Sequence, residues 1–383
     1  MRFLLIFCLC LVSFGAGVSV IHLKIFPYGL LRAAVNEFDK PFGVPEESSN
    51  AELSVPVDIE DVDGRLMRVL DKAADFRSAL KQRVVLPKEI VSLGKTEVSP
   101  TNYEIIETKG SHAHYEIKAQ FYGIKVNGII IKSERDEPKC LDIYVQGHLG
   151  NPFDFDYHEK ILDWSLSRGC DFLSLSMLGL GLNRGSAEFP RYDMSIKLPE
   201  SSASEHVNYS FYRDIGFPRK DPLSLFLTGH YHIIDRVAGK YEKVSLMGIS
   251  GGGWYAVWLA ALIPDIDNSI SYAGSLPLTY RFALDKTKTR SFSPGDWEQT
   301  HSSVYDDIGY WELYALMTLS SEGLQSREAF LVYNDSDPCC FADPFASDFK
   351  AKIDALSVNM PTVIVTENDK HNMRAELVKN ILE

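Results

Sequence analysis

The sequence predicts an α/β fold with a mixed, mostly parallel sheet and helices on both of its faces. In residues 103–131, polar and apolar side chains alternate with a period of two, which is typical of antiparallel strands. From residue 141 onward, short apolar runs alternate with helix-length segments, which is typical of parallel strands joined by helices. One of these runs, Val244–Met247, leads into a glycine-flanked turn and then into a segment of helical character.

The composition is that of an ordinary folded protein with an acidic surface. The chain has 383 residues, of which 45% are hydrophobic and 24% are charged, and its formal net charge is −13. Proteins that bind nucleic acid need clustered lysine and arginine, so this charge argues against a nucleic-acid partner. The length allows one large domain or two smaller ones.

The first residues differ in composition from the rest. Arg2 precedes the charge-free run Phe3–Ile21, which is nineteen residues long. A basic start followed by an apolar body is typical of a signal peptide, and the run is also long enough to cross a bilayer uncut. We therefore expect residues 1–21 to be a signal peptide or a membrane anchor. The protein is then exported, either secreted or attached to the membrane through residues 3–21, with the rest of the chain outside the cytoplasm.

Residues 22–100 are expected to form a tether and an N-terminal helix. Four prolines interrupt any regular period before residue 57. Over residues 61–83, apolar side chains recur at spacings of three and four, which predicts an amphipathic helix laid on the main domain or, as the alternative, one that binds a partner. The main domain is expected to span residues 101–383.

The main domain is predicted to begin with an antiparallel meander and to continue as a parallel sheet. The dipeptide Asn127-Gly128 is a strong hairpin signal. The predicted meander strands are Tyr103–Thr108, Tyr115–Tyr122, Ile124–Val126 and Ile129–Ile131. The predicted parallel strands are Leu141–Val145, Phe172–Leu178, Val244–Met247, Ser269–Tyr272, Ala329–Tyr333 and Thr362–Val365. Helices are predicted at His158–Ser167, after Asp221, and at Trp254–Ile263, Gly309–Ser320 and Arg374–Leu382.

A long segment without regular period, residues 179–220, interrupts this alternation. Prolines and a run of small polar residues mark it as an excursion from the sheet. Long structureless segments in compact domains are typical of lids and binding loops, and the alternative is a disordered insertion. We expect a lid insertion that shapes the substrate pocket together with residues 275–306.

The glycine-flanked turn reads Gly248-Ile249-Ser250-Gly251-Gly252. A serine in the pattern Gly-x-Ser-x-Gly between a strand and a helix is typical of a nucleophile elbow. On so tight a turn the serine backbone is strained, and the residues two before and two after it must lack side chains to avoid collision. The pentapeptide alone is weak evidence, since glycine and serine are common in loops. What decides is whether an acid and a histidine follow in order.

An acid and a histidine do follow Ser250, each directly after a predicted strand. Asp335 and Asp337 follow one strand, and His371 follows the last. Carboxyl ends of parallel strands meet at one edge of an open sheet, so these side chains are expected near Ser250. A neutral imidazole takes the proton of a serine hydroxyl, and a buried carboxylate fixes the tautomer of the imidazole. Asp337 is favoured over Asp335 because Pro338 fixes the turn that follows it.

These residues resemble the α/β-hydrolase superfamily. The resemblance covers roughly residues 103–383 and rests on the elbow, on the order serine, acid, histidine, and on a Gly-His turn after an early strand. It implies a mixed, mostly parallel eight-stranded sheet with a lid insertion. It also implies the catalytic triad Ser250, Asp337 and His371.

The turn Gln146-Gly147-His148 matches the family's oxyanion turn. The oxyanion that develops during acyl transfer needs preorganised donors, commonly two backbone N–H groups. The resemblance implies the backbone N–H groups of Gly251, just after the serine, and of His148. The family often has His-Gly where this chain has Gln146-Gly147.

The expected function is that of a serine hydrolase that cleaves a carboxylic ester through an acyl-enzyme intermediate. This chemistry needs no metal and no cofactor, and the substrate is expected to be a small or acylated molecule. Two alternatives stay open: an amide or peptide hydrolase with the same triad, and a catalytically silent hydrolase fold that acts as a binding module. An intact serine, acid and histidine argue against the second, because a binding module needs none of the three.

Four of the six cysteines follow the N-terminal segment. Cys140 and Cys170 stand just before two strands that are expected to be parallel neighbours, at the non-catalytic edge of the sheet. Adjacent strands lie ~4.8 Å apart, within the Cα separation that a disulfide spans, and an exported protein meets oxidising conditions. We expect a disulfide or, as the alternative, two buried thiols. Cys339 and Cys340 are adjacent, and we expect them to pack beside the acid loop without bonding each other.

Overall fold

A computed structural model describes the part of the chain that surrounds the central sheet. The described residues are 57–97, 114–121, 124–135, 137–148, 150–183, 186–189, 194–197, 221, 223–281, 297–300, 302–321 and 327–383. All of them belong to one compact unit, Leu53–Glu383. The predicted segment 1–21, the predicted strand Tyr103–Thr108 and most of the 179–220 insertion lie outside the described residues and stay predictions. In the described ranges, no helix combines the length and apolar character needed to cross a membrane.

Within these residues, nine strands form the main sheet and two form a separate antiparallel pair. The main-sheet strands are β1 (Ser92–Glu97), β2 (His114–Phe121), β3 (Ile124–Ile131), β4 (Cys140–Gln146), β5 (Asp171–Ser176), β8 (Lys243–Ile249), β9 (Asn268–Tyr272), β10 (Glu328–Asn334) and β11 (Thr362–Thr366). The separate pair is β6 (Ser186–Phe189) and β7 (Met194–Lys197). The order across the main sheet is β1-β2-β3-β5-β4-β8-β9-β10-β11.

The strand directions make the sheet mixed and mostly parallel, as predicted. Neighbouring strands are antiparallel from β1 to β5 and parallel from β5 to β11. Without the β6–β7 pair, the strands β2 to β11 are the eight that the resemblance implies, and the turn Gln146-Gly147-His148 follows the third of them. The ninth strand, β1, comes from the segment assigned above to the tether. The chain has the α/β-hydrolase fold.

The hairpin turn predicted at Asn127-Gly128 is wrong, because both residues lie in the middle of β3. The antiparallel partner of β3 is β2, with Phe121 opposite Ile124. A Cβ on Gly128 would lie 2.6 Å from Leu175 Cδ2 on β5. Close packing between strands therefore explains this glycine, as is typical of glycine inside a strand.

Helices cover both faces of the sheet. They are α1 (Ile59–Asp71), α2 (Ala73–Val84), α3 (Asp156–Ser167), α4 (Leu223–Ala238), α5 (Gly251–Leu262), α6 (Trp297–Thr300), α7 (Val304–Asp307), α8 (Tyr310–Met317), α9 (Phe345–Asp354) and α10 (Ala375–Leu382), with short 3-10 turns at Lys88–Ile90, Pro152–Asp154 and Gly181–Asn183. One core contains side chains of α3 and α10, and the other contains those of α1, α2, α4, α5, α8 and α9. Along β8, Leu246 belongs to one core and Met247 to the other. Burial on both faces explains the unbroken apolar runs of the central strands.

The single helix predicted over residues 61–83 is two helices, α1 and α2, interrupted at Lys72. Both halves bury their apolar faces. Leu66 of α1 and Leu80 of α2 are fully buried in the core that contains the elbow helix α5. The segment therefore packs on the main domain, as predicted.

The disulfide predicted between Cys140 and Cys170 is present, with their Cα atoms 4.6 Å apart. It joins the beginnings of β4 and β5, which pair in parallel. Beside it, the carboxylate of Asp171 is fully buried and accepts hydrogen bonds from the Tyr241 hydroxyl at 2.6 Å and from the ammonium group of Lys132. Buried charges at this edge are therefore paired, as burial requires.

Candidate active site

Ser250 lies on the tight turn between β8 and α5. Its backbone has φ 56° and ψ −128°, outside the regions that side chains of L-residues favour, so the turn stores strain. Two backbone hydrogen bonds hold it: Ser250 N–H donates to Tyr272 O at 2.8 Å, and Trp254 N–H donates to Ser250 O at 3.0 Å. Ser250 is partly exposed at the carboxyl edge of the sheet.

The turn at Ser250 requires glycines around it, because Cβ atoms at these positions would collide with the backbone. A Cβ on Gly248 would lie 2.1 Å from Gly252 O, and a Cβ on Gly252 would lie 2.0 Å from a backbone oxygen of β4. Gly147, in the turn after β4, is equally constrained, because a Cβ there would lie 2.9 Å from Ser250 Cβ. The motif explains the two elbow glycines. The need for Gly147 comes from the contact of two turns far apart in sequence, which no local pattern shows.

His371 and Asp337 form a hydrogen-bonded pair at the same edge. His371 Nδ1 lies 2.9 Å from Asp337 Oδ2 and 3.1 Å from Oδ1. The Asp337 side chain is fully buried, whereas the His371 side chain is 13% exposed. A neutral ring that donates from Nδ1 to the carboxylate keeps Nε2 as a proton acceptor. This is the tautomer that a general base needs.

The second candidate acid, Asp335, makes no hydrogen bond to the ring of His371. Its carboxylate accepts the N–H of Asn368 at 3.0 Å, and its own N–H donates to Thr366 O at 3.0 Å. Asp335 therefore ties the loop after β10 to the loop after β11. Of the two acids, only Asp337 holds the ring of His371.

The carboxylate of Asp337 also holds the loop that contains the adjacent cysteines Cys339 and Cys340. Asp337 Oδ1 accepts the N–H of Cys339 at 2.8 Å and the N–H of Cys340 at 3.1 Å. The expectation that these cysteines stay unbonded is wrong, because the structure joins them in a disulfide. The physical reason is the turn itself: Pro338 begins it, and one carboxylate draws both following N–H groups to the same side.

Asn334, the last residue of β10, positions the histidine loop, and sequence reasoning missed it. Its Nδ2 donates to Lys370 O at 2.8 Å and to Asn372 O at 3.1 Å, on either side of His371. Its Oδ1 accepts the hydroxyl of Tyr272 at 2.8 Å. Burial raises the pKa of Tyr272 to about 12, so this hydroxyl stays a donor at neutral pH. The signal available in the sequence was an asparagine at a strand end, directly before the loop that contains Asp335 and Asp337.

His148 brings its side chain, and not only its backbone, to the elbow. A Cβ on Gly251 would lie 2.9 Å from Cε1 and 3.0 Å from Nδ1 of the His148 ring. On the other side of the ring, Nε2 lies 3.7 Å from Oε1 of Glu298, whose side chain is fully buried. Sequence reasoning missed Glu298, which lies in the irregular 275–306 segment.

The arrangement places a strained serine, a histidine–carboxylate pair and a turn with N–H groups at one sheet edge. Among the described residues, no hydrogen bond joins the Ser250 hydroxyl to His371. Such contacts are often long in ligand-free sites and tighten when substrate binds. As for metals, the described residues contain one cluster with ligand-like spacing at this edge: Cys339, Cys340 and His371.

No protein-family model matches the chain, and no curated protein matches it. Solved structures of similar shape include acetyl xylan esterase 1 from a Thermoanaerobacterium species, 15% identical, over 85% of this chain and 93% of that one, with a TM-score of 0.46. An acetyl xylan esterase from a Paenibacillus species is 13% identical, over 82% of this chain and 92% of that one, with a TM-score of 0.46. A Pyrococcus furiosus esterase is 14% identical, over 78% of this chain and 93% of that one, with a TM-score of 0.39.

Proposed function

We propose that this protein is a serine hydrolase that cleaves carboxylic esters. The observation that supports it most is the pairing of the His371 ring with the buried Asp337 carboxylate at the sheet edge where the strained Ser250 turn lies. A binding module needs neither the strain nor the pair. Both are costly, and both match what activation of a serine hydroxyl requires.

The mechanism follows from the roles of these groups. His371 Nε2 takes the proton of the Ser250 hydroxyl as its oxygen attacks the acyl carbonyl, and Asp337 stabilises the imidazolium that forms. The oxyanion is stabilised by the N–H groups of Gly251 and His148. His371 then gives its proton to the leaving alcohol, and an acyl-enzyme remains. A water molecule, activated by the same histidine, releases the acid and restores Ser250.

The experiment that tests this function combines labelling with turnover. Purified protein is treated with a fluorophosphonate probe and assayed with p-nitrophenyl esters of increasing acyl length, with Ser250→Ala as the matched control. We expect labelling and ester turnover that both disappear in the variant. Well-folded protein that is neither labelled nor active would favour the alternative of a binding module. Cleavage of amides at rates comparable to esters would move the assignment to the amide hydrolases.

A further inference from the structure

The loop that contains Asp337 also brings two sulfur atoms next to the histidine of the site. The Sγ atoms of Cys339 and Cys340 and a ring nitrogen of His371 all lie within 4.8 Å of one another. None of the three residues is buried, so ions from solvent can reach them. We propose that, once the Cys339–Cys340 disulfide is reduced, these three residues bind one thiophilic divalent cation such as Zn²⁺ or Cd²⁺.

The donor set has the chemistry and the spacing that such ions need. Zn²⁺ is held by thiolate sulfur at about 2.3 Å and by imidazole nitrogen at about 2.0 Å, with tetrahedral geometry. Bonds of those lengths place neighbouring donor atoms roughly 3.5–3.8 Å apart. A cluster that already lies within 4.8 Å closes on an ion with small side-chain movements. Two thiolates also select Zn²⁺ and Cd²⁺ over Mg²⁺ and Ca²⁺, which prefer oxygen ligands.

Reduction precedes binding, because the two sulfurs are bonded to each other in this structure. A dithiol reductant attacks one sulfur and breaks the Cys339–Cys340 bond. The second thiol of the reductant then displaces the first from the protein, and the reductant leaves as a cyclic disulfide. Two electrons thereby enter the protein, and both cysteines become thiols. The cation then displaces one proton from each thiol and bonds to two thiolates.

Metal binding and hydrolysis compete for one side chain. His371 is the general base of the proposed function, and this part of the inference rests on that function. A cation bonded to the ring removes the base that Ser250 needs. We therefore expect cadmium to inhibit the reduced enzyme and to leave the oxidised enzyme unaffected.

The test uses the full chain with Cd²⁺ alone as the probe. Protein is reduced with a dithiol, freed of it without air, and titrated with cadmium chloride while thiolate-to-cadmium ultraviolet absorption and ester turnover are both followed. The expected result is one bound ion per chain, the absorption band, and a loss of turnover of roughly 10²-fold or more. Oxidised protein is expected to show neither the band nor the loss.

The matched control is the double variant Cys339→Ser/Cys340→Ser. It keeps the other cysteines, including Cys8 and Cys10 near the N-terminus, and so reports cadmium binding elsewhere in the chain. We expect it to show no band after the same treatment and a turnover that does not respond to cadmium. His371→Ala loses one of the three ligands and is expected to bind the ion more weakly by at least ~10- to 100-fold, the cost of losing a group that only supports a ligand.

Three results overturn the proposal: no band in the reduced wild type, an equal band in the double variant, or unchanged cadmium affinity in His371→Ala. Because binding is read from absorption, a chain without esterase activity still answers the question. Failure of the proposed function and failure of the metal site are therefore seen separately.

Discussion

The central sheet holds buried carboxylates in different ways at its amino edge, where the parallel strands begin, and at its carboxyl edge, where they end. At the amino edge, Asp171 accepts hydrogen bonds from the Tyr241 hydroxyl, the Ser133 N–H and Lys132, and each of these donors fixes it in place. At the carboxyl edge, Asp337 binds the ring of His371, which is partly exposed and keeps a second nitrogen for another partner. A buried carboxylate thus stabilises the fold at one edge and orients a titratable ring at the other.

The disulfides at the two edges also differ, in how much each one stabilises the fold. Cys140–Cys170 joins residues 30 apart in sequence, whereas Cys339–Cys340 joins neighbours. Only the first closes a loop, so only the first restricts the unfolded chain to an extent that matters for stability. The amino edge is therefore expected to respond to mutation in stability, and the carboxyl edge in activity.

The largest expected effect is that of Ser250→Ala on ester turnover. Removal of the attacking oxygen should lower kcat by roughly 10⁴- to 10⁶-fold. Alanine fills the space of serine at the same strained φ, so the free energy of unfolding should change by less than ~1 kcal/mol. Steady-state kinetics and denaturant unfolding measure the two quantities on one preparation. Activity near that of the wild type would mean that the elbow does not supply the nucleophile.

The next effect distinguishes the two acids of the loop after β10. Asp337→Asn keeps the shape of the side chain but removes the charge that fixes the tautomer of His371, and kcat should fall by ~10⁴-fold. Asp335→Asn is the matched control, because its carboxylate binds the N–H of Asn368 and not the histidine. We expect the control to retain kcat within about tenfold. The reverse ranking in the same assay would assign the acid to Asp335.

At the amino edge, the expected effect is on stability alone. Cys140→Ala/Cys170→Ala opens a loop of about 30 residues, which lowers the free energy of unfolding by about 3–4 kcal/mol on the chain-entropy argument. Turnover measured well below the melting temperature should not change. Cys339→Ser/Cys340→Ser is the control at the other edge and should cost less than ~1 kcal/mol, because it closes no loop. A larger loss of stability in the control would reverse the comparison of the two edges.

Much of the fold could be predicted because the central strands are buried on both faces and read as apolar runs. The strand predicted at Val244–Met247 is observed at Lys243–Ile249, so only its ends shifted. Predictions failed where packing between distant segments decides. Gly128 looked like a turn residue, yet it is required by Leu175 of a neighbouring strand. Local residue preferences contain no information about such a neighbour.

The same division holds at the candidate site. Chain order and strand ends sufficed to predict that Ser250, Asp337 and His371 lie at one edge of the sheet, because each follows a strand that ends there. Asn334 and Glu298 could not be selected, since their partners lie in other loops. Local motifs point to the candidate catalytic residues, whereas the residues that position their loops depend on tertiary contacts.

The smallest expected effect lies between the two edges, where buried histidines pack against the sheet. Burial lowers the pKa of His158 to about 3 and that of His230 to about 4. These residues stay neutral in the folded protein as the pH falls, whereas unfolded chains take up protons below about pH 6.5. Above about pH 6.5 the histidines are neutral in both states, so they do not lower the free energy of unfolding. As the pH falls toward the folded pKa, each histidine lowers it by up to about 1.4 kcal/mol per pH unit.

His158→Gln isolates one of these contributions. The ring of His158 lies 2.8 Å from Ser174 Oγ through Nε2, a contact that a glutamine amide can replace without titrating. Between pH 6.5 and pH 5, carboxylates that titrate near pH 4 contribute little, and the unfolded histidine is only partly protonated at the upper end, so the variant should lose stability less steeply by about 1 kcal/mol per pH unit. Denaturant unfolding at pH 7, 6 and 5 gives both slopes. Equal slopes would mean that His158 is protonated in the folded protein as readily as in the unfolded chain.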